Sequence, residues 1–274
     1  MSRKQFEKFK NAKNVSISEK IFFALRYLKI NLRYYKQLYV NHEFDQVPGH
    51  QYINKKLNED EYSKLIEELY GNQYLGNKYD DEEKQMVLKR WVAKTIVDAL
   101  KISGWEGTTI CDAGANKGYL MKAFYELGFD VYGFDILENK ERIVDSENDI
   151  IRNHFYLGSI LDIPKLPTNI DVVTCVDVFE HIPINYCDRM ANQLLKLQPK
   201  YFVLGISKDA ISDGHITLKG KKWWAKKIKG YRIMDELTSQ LNLVLTLEGD
   251  HYQNTGIPRN GWNSVPGFLF LERI

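Results

Sequence analysis

Two carboxylates bracket a short turn whose residue types suit it to lie against a bound nucleotide. Asp112 follows an apolar stretch and begins the turn, which contains Gly114 and Gly118, and Asp135 ends the next apolar stretch. Small residues permit a tight turn and a close approach of ligand to backbone, while Asp135 offers acceptors for hydroxyl groups. The order of apolar run, turn, helical spacing and second apolar run predicts a nucleotide-binding βαβ unit.

The spacing of the glycines separates two kinds of nucleotide site. The dinucleotide pattern G-x-G-x-x-G needs a glycine where Asn116 stands, although a phosphate- or NAD-binding turn remains the alternative. The pattern D-x-G-x-x-x-G resembles instead the first motif of class I S-adenosylmethionine-dependent methyltransferases. The resemblance implies that the turn approaches the methionine part of the cofactor and that Asp135 takes the ribose hydroxyls. The implied cofactor-binding residues here are Asp112, Gly114, Asn116, Gly118, Asp135 and Ile136.

A second segment with reactive groups, residues 177–183 (DVFEHIP), follows a nearly continuous apolar and β-branched run. Such a run is typical of a strand covered on both faces, and its C-terminal end lies where open α/β sheets bind ligands. The segment resembles the fourth motif of the same family, which implies that Asp177 and Val178 face the methionine end of the cofactor. Glu180 and His181 are interpreted first as a hydrogen-bonded pair that shapes the turn, with direct catalysis as the alternative.

Residues 158–164 resemble the adenine-binding segment of the family. Ser159 stands at the position of the family's acid, and Ile160 follows it. The resemblance therefore implies an adenine contact by Ser159 and Ile160, by the backbone, or by Asp162.

The groups expected to act on the methyl acceptor follow the fifth apolar strand. His215 lies there in a G-H-I-T sequence that resembles the segment these enzymes place near the acceptor. Because an imidazole titrates near neutral pH, His215 is predicted to be the general base that deprotonates an acceptor hydroxyl. A purely structural hydrogen bond is the other interpretation of His215. The competing candidates for the base are His181, Asp177, Asp209 and Asp213.

Aromatic side chains are expected to contact the acceptor, because rings stack on flat or apolar faces of ligands. The first choice of acceptor is a hydroxyl of a sugar or another small polar metabolite. A run of lysines over residues 219–229 is either a solvated face or a contact for a phosphorylated or nucleotide-linked acceptor. The alternatives are an N-methyltransferase on a small amine or nucleic-acid base, and a non-catalytic cofactor-binding or scaffold subunit. The expected acceptor contacts are Tyr79, Trp223, Trp224, Tyr252 and Trp262.

The composition bears on other function classes. A net charge of +2, with 27% charged and 44% hydrophobic residues, is ordinary for a globular protein and does not favour nucleic-acid binding. No apolar run approaches the roughly 20 residues of a membrane span. Three cysteines, an odd number, predict reduced thiols and a cytoplasmic location. No metal is expected, since His42 and His50 lack partners at a ligand spacing.

The first forty residues are basic and carry a capping-box pattern at residues 16–19, which predicts the start of a helix. An apolar stripe follows at helical spacing. The stripe predicts packing on the chain's own domain, with a homodimer seam or an anionic membrane surface as alternatives. Its members are Ile21, Leu25, Leu28, Leu32, Tyr35 and Tyr39.

The predicted elements place these groups at one edge of a sheet. The fold class is α/β: a Rossmann-like, doubly wound, seven-stranded sheet whose last strand is antiparallel, as the resemblance implies. Residues 82–274 form the methyltransferase domain, and residues 1–81 form a helical N-terminal extension that serves as a lid. Predicted helices include 59–70, 81–100, 119–127, 185–197 and 231–241, and predicted strands include 130–135, 154–158, 169–176, 201–206, 243–247 and 267–272.

Overall fold

The computed structural model describes residues 49–71, 82–136, 153–166, 169–207, 214–239 and 267–274. One mixed sheet lies between two layers of helices. The helices are α1 Glu59–Ile66, α2 Glu82–Ile102, α3 Tyr119–Glu126, α4 Cys187–Leu195 and α5 Lys221–Ala225. The strands are β1 Thr109–Ala113, β2 Asp130–Asp135, β3 Phe155–Leu157, β4 Val172–Val176, β5 Tyr201–Ile206, β6 Tyr231–Ile233 and β7 Gly267–Arg273.

The seven strands have the order β3-β2-β1-β4-β5-β7-β6. Strand β1 pairs in parallel with both β2 and β4, and β5 continues the parallel part beside β4. Strand β7 is antiparallel to its neighbours β5 and β6. The predicted Rossmann-like sheet with an antiparallel last strand is therefore confirmed. The strand order reverses between β1 and β4, which is where open α/β sheets bind ligands.

Side chains that alternate along the central strands supply both hydrophobic cores. On β5, Val203 packs with α2 and α3, while Phe202 and Leu204 pack with α4 on the opposite face. Strand β7 alternates in the same way, as the period of two in a strand requires. Each such side chain contributes about 1.5–3 kcal/mol through burial. The apolar faces of the helices and strands thus hold the sheet and leave its C-terminal edge for polar turns.

One predicted element is wrong. The sequence predicts a helix over residues 231–241, but residues 231–233 form strand β6. Within that predicted helix, the described residues that are helical are 235–239. Strand β6 pairs with β7 through Arg232 and Glu272, and the Tyr231 hydroxyl donates to the carbonyl oxygen of Pro199. Pairing with an open sheet edge outweighs the helical spacing, because strand formation depends strongly on tertiary context. The predicted strand 243–247 lies outside the described residues.

Part of the predicted N-terminal extension packs directly on the sheet domain. Leu57, Leu65 and Leu69 are buried together with Ile216, which follows β5 in the chain. The Asn185 side chain also bonds both backbone groups of Leu57, at 3.1 and 2.9 Å. The apolar stripe of the predicted basic helix and the lid candidate Tyr79 lie outside the described residues. No helix in the described part of the chain has the length and apolar character needed to cross a bilayer.

Asp112 is a carboxylate buried inside the sheet. It lies on β1 with 3% of its surface exposed, and its Oδ1 accepts a hydrogen bond of 2.8 Å from the Thr174 hydroxyl on β4. Burial raises the pKa of Asp112 from 3.8 to about 6, while the Thr174 hydrogen bond and the charge of Lys89 lower it. The folded protein therefore binds this proton more tightly than the unfolded chain does.

We expect Asp112→Asn to raise the free energy of unfolding near pH 7.5 by up to about 3 kcal/mol, the equivalent of a shift of two pKa units. Because the pKa of Asp112 is raised to about 6, the wild type carries a buried charge above that pH, and this charge lowers its free energy of unfolding. Below pH 3.8 both states are protonated and the difference should vanish. Denaturant unfolding at pH 4 and pH 7.5 measures the change.

The matched control is Asp98→Asn, since Asp98 lies exposed on α2 and pairs with Lys94 four residues earlier. Its effect should stay within about 0.5 kcal/mol at either pH. Equal or lower stability of Asp112→Asn at pH 7.5, with an unchanged pH profile, would contradict the account of Asp112.

Candidate functional site

The turn after β1 packs against the turn after β4. Gly114 has a left-handed φ of 83°, and a Cβ added there would lie 2.3 Å from Cγ2 of Val178. Only glycine fits both the conformation and this close approach. Gly118, at φ 87°, precedes α3 as its N-cap, and Asn116 is left-handed at φ 49°. Gly114 and Val178, predicted from separate motifs, therefore lie in direct contact.

Asp135 closes the same turn from the end of β2. Its Oδ2 accepts a hydrogen bond of 2.8 Å from the backbone N–H of Asn116. Its own carbonyl oxygen accepts the N–H of Gly158 at 2.9 Å, which brings the segment after β3 alongside. Ile136, the next residue, is 40% exposed. The carboxylate thus lies between two turns at the C-terminal edge of the sheet.

The predicted adenine-binding segment forms a small turn beside Asp135. The Ser159 hydroxyl accepts the N–H of Leu161 at 3.1 Å, so this side chain shapes its own turn. Ile160 is buried and packs in the core on the α4 side of the sheet. Ile160 therefore anchors the turn in the hydrophobic core, while the Ser159 side chain is half-buried.

Asp177 holds an unusual backbone conformation at the end of β4. Its φ of 57° is left-handed, and its N–H donates to the carbonyl oxygen of Gly205 on β5 at 2.9 Å. A residue with a side chain pays about 1–2 kcal/mol for this conformation. Strain of this kind is concentrated at ligand sites. Asp177 is exposed, so the strained turn presents its carboxylate at the edge of the sheet.

Glu180 fastens the loop after β5 to the turn after β4. Its carbonyl oxygen accepts the N–H groups of Ile216 and Thr217 at 2.8 and 2.9 Å, and its Oε1 accepts the N–H of Ser207 at 2.7 Å. Thr217 donates from its hydroxyl to the Ile182 carbonyl oxygen at 2.6 Å. One residue therefore bonds both the beginning and the end of the loop.

The carboxylate of Glu180 is wholly buried, with 0% of its surface exposed. Burial raises its pKa well above the ordinary value, and the charge of Asp177 raises it further, while the Ser207 hydrogen bond lowers it. A group that could carry a compensating positive charge is His215, whose Nε2 lies 4.0 Å from Glu180 Oε1. A charge at this position therefore depends on a compensating positive group.

The two histidines predicted from separate motifs meet beside Glu180. The rings of His181 and His215 lie edge to face with centroids 4.8 Å apart. His181 Nδ1 lies 3.0 Å from the carbonyl oxygen of Gly214, and His215 is 8% exposed. Leu69 covers this corner, because a Cβ on Gly214 would lie 2.5 Å from its Cδ1. The structure thus brings together buried Glu180 and His215 and half-buried His181 in one cluster.

The predicted aromatic acceptor contacts do not all lie at this edge. Trp224 is fully buried against Phe179, with ring centroids 5.1 Å apart, so the predicted acceptor contact by Trp224 is wrong and this ring belongs to the core. Trp223 is half-buried, and Lys227 Nζ lies 4.6 Å above its ring while pairing with Asp188. Tyr79, Tyr252 and Trp262, like Asp209 and Asp213, lie outside the described residues.

The residues around β1 and β2 fit the cofactor that the resemblance implies. Gly114 has no side chain, which lets its turn pack against Val178 of the second motif, and the Asp135 carboxylate at the end of β2 offers oxygen acceptors of the kind that ribose hydroxyls bind. Thr174, the partner of Asp112, was not predicted from the sequence, and Glu180 was interpreted first as shaping its turn together with His181, with direct catalysis as the alternative. Thr174 could have been predicted as a partner of Asp112, because it is a hydroxyl residue in the apolar run of the neighbouring strand.

Comparison with known proteins agrees with this geometry. Residues 63–242, more than half of the chain, match the family model described as a methyltransferase domain. The match begins within α1, before the boundary at residue 82 that the sequence predicts. The chain is also 29% identical over 85 residues to a ubiquinone biosynthesis O-methyltransferase of Cupriavidus pinatubonensis, which is 30% of this chain and 34% of that protein. A second such enzyme, from Pseudomonas paraeruginosa, is 28% identical over 96 residues, 32% of this chain and 41% of that one.

Solved structures share the fold at low sequence identity. The 1,6-didemethyltoxoflavin-N1-methyltransferase of Burkholderia thailandensis, with S-adenosylhomocysteine bound, has a TM-score of 0.54 at 12% identity and covers 79% of this chain and 91% of its own. The magnesium protoporphyrin IX methyltransferase of Synechocystis, with S-adenosylmethionine bound, has a TM-score of 0.50 at 18% identity, over 81% and 100%. The chain spans well under half the length of the two curated relatives it matches. With its motifs on a sheet of this topology and the family match over more than half its length, the chain belongs to the methyltransferase-domain family, the class I S-adenosylmethionine-dependent enzymes.

Proposed function

We propose that this protein transfers a methyl group from S-adenosylmethionine to a hydroxyl of a small molecule. The observation that carries the proposal is the contact of Gly114 with Val178. It joins the cofactor turn to the turn that bears His181, and through Glu180 to the loop that bears His215. Donor-binding and acceptor-activating groups therefore share one edge of the sheet.

The bound cofactor supplies an activated methyl group on a sulfonium centre. The protein's task is to hold the acceptor oxygen in line with that methyl group and to keep water away. In this chain Asp135 and the Gly114 turn bind and orient the donor. The exposed Asp177 carboxylate and the pair of His181 and His215 lie on the acceptor side, where a hydroxyl must lose its proton.

Oxygen is favoured over nitrogen as the acceptor atom on two grounds. The two curated relatives are named as O-methyltransferases. A hydroxyl also needs help to lose its proton, and this edge holds Glu180, His181 and His215 together. A sugar hydroxyl has less support, because Trp224 belongs to the core and the ring of Trp223 lies under Lys227. We therefore propose the acceptor only as a small molecule with a reactive hydroxyl.

A panel of acceptors tests this proposal. Purified protein is incubated with radiolabelled methyl donor and with catechols, monosaccharides, nucleotide sugars, small amines and nucleosides in separate reactions. Label in a hydroxyl acceptor supports the proposal. Label only in an amine or a base would establish N-methyl transfer instead, and donor binding without transfer to any acceptor would favour a scaffold role.

Donor binding gives the first quantitative expectation. We expect Asp135→Ala to weaken binding of S-adenosylhomocysteine by about 1.5–3 kcal/mol, roughly ten- to 150-fold, since hydrogen bonds to a charged group are lost. Isothermal titration calorimetry measures the change, and NAD should not bind. Asp130→Ala is the matched control, because Asp130 lies at the opposite end of β2. An unchanged affinity in Asp135→Ala would remove Asp135 from the cofactor site.

The acceptor side gives the second expectation. His215→Ala should lower kcat by about 10²–10⁴-fold, the usual weight of a group that assists proton removal. Affinity for S-adenosylhomocysteine should stay within about twofold, because the cofactor turn is untouched. His154→Ala serves as the control, since His154 stacks on Tyr132 at the start of β3, away from the cluster. Wild-type kcat in His215→Ala would show that the cluster takes no part in methyl transfer.

A further inference from the structure

The Glu180, His181 and His215 cluster has the donor set of a metal centre. Each residue offers one ligand atom, and these atoms all lie within 4.8 Å of one another. Ligands about 2.0–2.2 Å from one ion are about 3.4 Å apart in a tetrahedral site. Small side-chain rotations close that difference, since Glu180 Oε1 and His215 Nε2 are already 4.0 Å apart.

Glu180 provides a second observation that points to a ligand. Its carboxylate is fully buried, and Oε1 takes the N–H of Ser207. Its other oxygen, Oε2, has no hydrogen-bond partner within the described residues. Leaving a buried carboxylate oxygen uncompensated is costly, and such groups pair or coordinate a metal. A proton would satisfy one oxygen, but it would not explain why two imidazoles gather at the same carboxylate.

His181 is oriented as metal-binding histidines are. Its Nδ1 lies 3.0 Å from the carbonyl oxygen of Gly214, a contact in which the ring donates N–H. In that tautomer the coordinating lone pair is on Nε2, and a carbonyl acceptor on the other ring nitrogen is the usual outer support of a histidine ligand. The ring is also fixed in place, because His215 lies edge to face against it.

The chemistry of the donors limits the choice of ion. Two imidazole nitrogens and one carboxylate oxygen suit first-row divalent transition metals such as Zn²⁺, Co²⁺, Mn²⁺ or Fe²⁺. Mg²⁺ and Ca²⁺ favour sites made of oxygen ligands. Three protein ligands leave further coordination positions, as catalytic sites do and closed structural sites do not.

We propose that Glu180, His181 and His215 bind a divalent first-row transition metal ion whose remaining coordination positions take the acceptor hydroxyl. The part about the hydroxyl rests on the proposed function. A metal ion makes loss of the hydroxyl proton to solvent easier. The oxygen then bonds to the methyl carbon as the carbon–sulfur bond breaks, and the electron pair stays on sulfur. In this scheme His215 is a metal ligand, whereas the sequence analysis predicts it to be the general base. The proposal also departs from the expectation that the protein binds no metal.

Metal content tests the site without reference to activity. The full-length protein is stripped with a chelator, dialysed and titrated with Co²⁺, whose visible absorption reports ligand geometry, and then with Zn²⁺ in competition. We expect one equivalent per chain in the wild type. Glu180→Gln should weaken Co²⁺ binding more than 100-fold. That loss is larger than the 10–100-fold typical of removing a residue that only hydrogen-bonds to a metal ligand. The substitution retains an acceptor for Ser207, and circular dichroism and S-adenosylhomocysteine binding check its folding.

His181→Ala and His215→Ala repeat the test if Glu180→Gln does not fold. His154→Ala is the matched control, because His154 also faces a carboxylate, with its Nδ1 3.3 Å from Asp130 Oδ1. Equal Co²⁺ binding by wild type and all three cluster variants would overturn the site. Metal-independent methylation of a hydroxyl acceptor would overturn the role in activation. Stoichiometric metal with no hydroxyl methylation would leave the site standing and reject the proposed function.

Discussion

The hydrogen bonds of Glu180 determine the architecture of the proposed acceptor side. This residue bonds Ser207 at the start of the loop after β5, and Ile216 and Thr217 at its end. Because the bonding groups are buried, each would cost about 1–3 kcal/mol if left unpaired. The loop that carries His215 is therefore held to the turn that carries His181. Replacing Glu180 by an apolar residue would leave the N–H of Ser207 without this acceptor.

The cofactor side depends on a different constraint, which is close packing of backbone turns. Gly114 leaves room for Val178, and the Asn116 N–H bonds the Asp135 carboxylate. Asn116 and Asp177 both adopt left-handed backbone conformations without being glycine. Together with the buried Asp112 carboxylate, these positions oppose stability at the edge where the two turns meet. Unfavourable local conformations of this kind persist where the surrounding fold over-determines them.

The segment before the sheet domain contributes to the acceptor side as well. The Asn54 N–H donates to the carbonyl oxygen of Ile216 at 2.6 Å, and Leu69 lies over Gly214 beside His181. These contacts come from outside the βαβ unit formed by β1, α3 and β2. We therefore propose that residues 49–71 and the loop after β5 influence the choice of acceptor, and that the βαβ unit binds the donor.

The sequence by itself determined the order of strands and helices from β1 to β5 and the donor motifs, because hydrophobic periodicity and turn residues act over short distances. Strands 130–135 and 201–206 were predicted with the bounds they have. Tertiary structure alone decided that residues 231–233 pair with β7, that Trp224 enters the core, and that His181 and His215 meet at Glu180. These contacts join residues far apart in the chain, and their geometry follows from the pairing of β4 with β5 and from burial, which no local pattern specifies.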